Sequence, residues 1–341
     1  MELRPLGKTG AAVSEYALGT MTFGAEADET ASHAMLDRYL EAGGNFVDTA
    51  DVYSDGASEE IIGRWLDRTG RRDEIVLATK ARFRMGDGPN DVGLSRLHLR
   101  HACEASLRRL GVDTIDLYQA HCWDPATPLE ETLAAFDELV AEGKVRYVGV
   151  SNFTGWQLQR AALLGCRRGQ ARVVTLQPQY SLLVREIEWE LVPLCLAEGI
   201  GMLPWSPLGG GWLTGKYSRE ERPSGATRLG EDPERGQEAW DRRNTERTWA
   251  VVDAVSEIAG ALGVSMAQVA LAWVTQRPGV TSTILGTRTV EQLDDNLGAA
   301  GLELDREQVA RLDEVSDPGL PPYPYGFIEE AGEERAELRP V

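Results

Sequence analysis

Residues 45–66 read NFVDTADVYSDGASEEIIGRWL. A short apolar run closes on Asp48, a polar loop carries Tyr53, and a helical pattern begins just after it. The same design recurs downstream. IVLATK ends at Lys80 and IDLYQAH ends at His121. Each run reads as a strand that delivers a titratable group at or just beyond its C-terminal end. Successive strands that do so describe the mouth of a parallel barrel, where catalytic side chains collect.

Working outward, strand-like runs lie at 16–21, 45–48, 75–80, 114–119, 145–150, 173–177, 200–204 and 280–285. Helical patterns lie between them at 28–43, 58–68, 93–110, 129–142, 155–165 and 187–198. Alternation of this kind gives a parallel sheet, and eight units suit a (β/α)8 TIM barrel of the α/β class. An open doubly wound sheet is the competing arrangement. The expected organisation is a single barrel domain over 1–341, with the barrel proper at about 16–316. Residues 1–15 are expected to form a β-hairpin closing the barrel bottom, with Lys8–Gly10 in its turn. Residues 209–246, after strand seven, read as a long loop of the kind that serves as a lid. The tail 317–341 reads as an extended segment whose aromatic residues pack near the site.

Bulk properties narrow the function. The net charge of −19 disfavours nucleic acid and anionic membrane as partners. No run of about 18 apolar residues offers a transmembrane span, and no secretory leader is visible at the N-terminus. Cys103, Cys122, Cys166 and Cys195 are far apart with no CxxC spacing, which points to free thiols and a cytoplasmic location. Lysine occurs only at Lys8, Lys80, Lys144 and Lys216, so each merits inspection.

A phenol, an ammonium, a carboxylate and an imidazole gathered at one barrel mouth form a proton-transfer site. A carbonyl accepts hydride readily when its oxygen receives a proton as charge develops. Tyr53 is the candidate acid, and Lys80 beside it is expected to lower its pKa. Asp48 would anchor Lys80, and His121 would orient the carbonyl by a hydrogen bond. Taken singly, each residue has an ordinary structural explanation; the joint pattern is what points to chemistry.

No GxGxxG follows a strand, so a Rossmann site is unsupported. Gly7-Lys8-Thr9 fails as a P-loop because Glu2 stands where the upstream glycine is needed. A nicotinamide would instead lie across the barrel mouth. Gly19, Thr20 and Met21 end the first strand and are expected, with Asp48, to border it. Ser151, Asn152 and Gln177 offer hydroxyl and amide groups suited to a carboxamide. Lys216 is equally suited to a phosphate or to bulk solvent. Gly286, Thr287 and Arg288 follow the last strand, and a helix begins near Thr289. Thr289 and Gln292 form a T-x-x-Q capping-box pattern, and Arg288 at this helix N-terminus makes an anion site. Gln292 and Asn296 share one helical face. His98 and His101, three apart near Cys103, read as surface helix residues, and no metal is expected.

These segments, with VRYVGVSNF (145–153), LQPQYSLL (176–183), WSPLGGGWLTGKY (205–217) and TRTVEQLDDNLGA (287–299), resemble the aldo-keto reductases over nearly the whole chain. The resemblance implies a (β/α)8 barrel and NADPH-dependent carbonyl reduction. It puts the catalytic Asp, Tyr, Lys and His on Asp48, Tyr53, Lys80 and His121. It implies that Trp205 stacks on the nicotinamide and that Ser206, Pro207, Leu208 and Gly210 wrap the pyrophosphate. Arg288 would meet the adenosine 2′-phosphate, favouring NADP over NAD, and Gln292 and Asn296 the adenine. The substrate, a small carbonyl compound, is expected to meet Phe23, Tyr53, Arg82, His121 and Trp123, with Met21, the lid and the tail nearby. Alternatives are a nucleotide-sugar ketoreductase and a cofactor-sensing regulatory subunit like the potassium-channel β subunits.

Overall fold

The computed structural model describes residues 1–168, 172–225, 227–234 and 236–333. The side chain of Cys166 and the tail beyond 333 lie outside the described residues. Two strands open the chain, β1 (Leu3–Pro5) and β2 (Ala12–Ser14), paired antiparallel. Eight parallel strands follow: β3 (Tyr16–Gly19), β4 (Phe46–Asp48), β5 (Val76–Ala81), β6 (Ile115–Ala120), β7 (Val145–Ser151), β8 (Val173–Gln177), β9 (Gly201–Met202) and β10 (Thr283–Gly286). Their order is β10-β3-β4-β5-β6-β7-β8-β9. The Thr281 amide donates to the Met202 carbonyl and the Ile284 amide to that of Pro204, both at 2.9 Å, which closes the sheet into a barrel. β9 is short because Pro204, lacking an N–H, breaks the expected 200–204 ladder.

Strand alternation sorts the side chains into two cores. Phe46, Ala78 and Leu117 point inward, where Leu6 and Val13 of the hairpin meet them. Val47, Leu77 and Tyr118 point outward against the helices. The hairpin is thus a plug for one end of the barrel. Gly149 on β7 is required by this crowding, since a Cβ there would lie 2.2 Å from Thr175 Oγ1.

Helices Glu246–Leu262 and Met266–Thr275 fill a stretch without a clear sequence signal. Met266–Thr275 is buried along almost its whole length, so its apolar residues show no one-sided stripe. Among the described residues no single helix is long and apolar enough to cross a membrane. The 209–246 segment is more ordered than a plain loop. It holds a 3-10 turn, Gly209–Thr214, and the short helices Arg228–Glu231 and Trp240–Arg243. As far as residue 333 the tail is not a plain extended segment: Phe327–Glu333 is helical, and Tyr325 donates to Glu190 at 2.7 Å while packing on Trp189.

Candidate active site

β4 and β5 pair with Asp48 opposite Ala78. The period of two then puts Lys80 on the same inward face, one layer further up. Its ammonium reaches Asp48 Oδ1 at 2.6 Å, the Thr49 carbonyl at 2.7 Å and the Tyr53 hydroxyl at 3.3 Å. Lys80 is fully buried, and Asp48 nearly so. The second Asp48 oxygen accepts from Gln177 Nε2 at 2.9 Å and Gln119 Nε2 at 3.3 Å. The carboxylate is therefore held from three strands. His121, just past β6, stands edge-on to the Tyr53 ring at 5.8 Å and to Phe83 at 4.7 Å.

Burial decides the electrostatics. It raises Tyr53 above the ordinary tyrosine value, and the opposing pull of Lys80 does not reverse this. The lowered phenol expected from a neighbouring ammonium is thus corrected: desolvation, with help from Asp48, wins. Lys80 would be pushed down by burial, but Asp48 and Tyr53 beside it leave it raised and charged. His121 is driven well below its usual value by burial, then by Lys80 and Arg82, so its imidazole is neutral. The group is a protonated phenol against a fixed ammonium, with a neutral imidazole across from it.

A cavity of about 580 Å³ opens over these residues. Asp48, Tyr53 and His121 lie at its floor, with Ser151, Asn152, Gln177 and Trp205 to one side. Asn152, in the left-handed region at φ 55°, donates to the His121 carbonyl at 3.0 Å and to Ser151 Oγ at 2.9 Å, and accepts from Trp205 Nε1 at 3.1 Å. Ser206, at φ 54°, is a second strained non-glycine position on the wall. The cavity continues past Pro207, Leu208, Gly210 and Lys216 to Gly286, Arg288, Gln292 and Asn296, and Gly19, Thr20 and Met21 complete the other side.

The aldo/keto reductase family model matches residues 16–317. The chain belongs to this family. Among similar proteins, the oxidoreductase YrpG of Bacillus subtilis is 40% identical, covering 92% of this chain and 96% of its own. A probable voltage-gated potassium channel subunit beta of Oryza sativa is 36% identical, over 88% and 91%. The versiconal hemiacetal acetate reductase of Aspergillus parasiticus is 33% identical, over 93% and 98%.

Some sequence-predicted residues of this aldo/keto reductase are not at the cavity. Phe23 is fully buried in the outer core and does not line the cavity. Thr287 turns its buried hydroxyl toward Met35 Sδ, at 3.2 Å. Arg82 lies over the Phe83 ring, and it is Phe83 that lines the cavity. Trp123 packs against Phe153 and Trp156 instead of walling the cavity. The capping box at Thr289 is half formed: Thr289 accepts from the Gln292 amide, but Gln292 Oε1 takes the Arg288 amide at 2.9 Å. His98 is buried, with Nδ1 3.0 Å from the Asn90 carbonyl, and is not a surface residue. Among the described residues no group of His, Cys, Asp and Glu is placed to hold a metal ion. Sequence reading missed Gln119, Phe83 and Glu26. Gln119 was within reach, since it lies two residues before His121 and shares its inward face.

Proposed function

We propose that this aldo/keto reductase reduces an aldehyde or ketone to an alcohol with NADPH, using Tyr53 as proton donor. The observation that carries the reading is the buried Asp48–Lys80–Tyr53 chain, with His121 beside it, opening onto the cavity. The donor set suits a dinucleotide. Hydroxyl and amide groups lie near Tyr53, and two consecutive glycines in the left-handed region, Gly210 and Gly211, line the cavity along with Arg288. Ser151, Asn152 and Gln177 would hold the nicotinamide carboxamide, Trp205 its ring, and Arg288 the 2′-phosphate. When bound, NADPH supplies the hydride.

The remaining work belongs to the chain. His121, being neutral, donates a hydrogen bond that orients the carbonyl oxygen. Tyr53 stays protonated at working pH and passes its proton to that oxygen. Lys80 stabilises the phenolate left behind, and Asp48, fixed by Gln119 and Gln177, keeps Lys80 in place. The cytoplasmic setting inferred from the cysteines belongs to the same reading. The test is NADPH oxidation by the purified chain across a carbonyl panel. Tyr53→Phe should lower kcat by about 10²–10⁴-fold while nucleotide binding persists. Full activity in that variant removes the proton donor.

The potassium-channel β names among relatives favour a second reading, a nicotinamide-sensing partner protein. Nucleotide binding with no turnover of any carbonyl would favour it.

A further inference from the structure

Arg288, the candidate 2′-phosphate contact, is already engaged by acid. Its Nη1 and Nη2 reach the two carboxylate oxygens of Glu231 at 3.3 and 3.1 Å. Nη2 also lies 3.7 Å from Glu26 Oε1. Glu231 ends the short lid helix Arg228–Glu231, and Glu26 lines the cavity from the loop after β3. One guanidinium therefore faces two carboxylates.

That balance bears on which nucleotide fits. A 2′-phosphate brings further negative charge and needs the same forked donors that Glu231 occupies. It must displace Glu231 and stand beside Glu26. A ribose 2′-hydroxyl carries no charge and can donate to a carboxylate, which is how acidic residues select NAD elsewhere. Resting on the reading that the cavity binds a nicotinamide dinucleotide, we propose that Glu231 is a specificity-determining residue. It competes with the 2′-phosphate for Arg288, with Glu26 behind it, and so weakens the preference for NADP(H) that Arg288 alone would give. The half-exposed position of Glu231 leaves it free to be exchanged without disturbing the core.

The experiment is a tryptophan-fluorescence titration of the full chain with NADP+ and NAD+, in wild type, Glu231→Gln and Glu231→Lys. Glu231→Gln should tighten NADP+ about fivefold, the scale of one exposed ion pair, and leave NAD+ unchanged or weaker. Glu231→Lys should move the ratio of the two dissociation constants further the same way. A ratio within twofold of wild type in both variants overturns the inference while leaving the proposed function standing. Wild type that binds neither nucleotide sinks both.

Discussion

Asp51 sits three residues after Asp48 and two before Tyr53, and burial has changed its chemistry. Its amide donates to the Lys80 carbonyl at 3.1 Å, yet among the described residues no side chain donates to its buried carboxylate. Nearby Glu59 is fully buried and satisfied by Thr79 and Arg109. Burial first, then the charge of Glu59, pushes Asp51 up to about 7. Its folded value lies above the unfolded one, so its contribution to stability is fully present below about pH 4 and is lost as pH rises through about 7. Asp51→Asn, which never ionises, should therefore gain stability over wild type at pH 8 and little at pH 4. The gain is on the order of 4 kcal/mol if the whole shift is realised. Denaturant unfolding at the two pH values checks this, and equal differences at both would refute it. Tyr53 teaches the same lesson. Its place beside Lys80 was legible from the strand ends, but the direction of its shift depends on how much water the fold removes, which no spacing reveals.

At the scale of elements, the lid is held by tryptophans. Trp212 stacks on Trp240 at 5.0 Å, meets Trp249 edge-on at 5.5 Å, and donates to the Glu238 carbonyl at 3.0 Å. Truncating Trp240 removes packing worth about 3 kcal/mol from a segment able to open locally. Trp240→Ala should speed proteolysis within residues 218–234 by about tenfold or more, with a smaller change in the thermal midpoint of the barrel. Unaltered cleavage would mean that the stack does not hold the lid. Before the structure, this segment reads as glycine, arginine and glutamate without period, because its order comes from three tryptophans scattered over 212–249. The strands were readable for the opposite reason. Each is a short apolar run bounded by turn residues, as VLATKA and IDLYQA show. The helix Met266–Thr275 escaped because apolar residues on every side carry no stripe.

At the scale of the whole molecule, the barrel is closed at one end by the hairpin and open at the other over Asp48, Tyr53 and His121. Leu6 is fully buried against Phe46, Leu117, Leu203 and Ile284. Leu6→Ala should cost about 3 kcal/mol in denaturant unfolding, since this plug cannot collapse without moving several strands. A loss under about 1 kcal/mol would make the hairpin peripheral. The sequence alone determined the alternation of strand and helix and the placing of Asp48, Tyr53, Lys80 and His121 at one end of the barrel. These follow from local periodicity and from residue type at strand ends, which need no partner to be read. Tertiary structure decided what each of them faces. Gln119 and Gln177 reach Asp48 only because three strands curl together, and Phe23 faces the core while Phe83 faces the cavity. Glu231 meets Arg288 across 57 residues of chain. Such meetings depend on closure of the barrel and the fold of the lid, where side chains far apart in sequence compete for the same desolvated space.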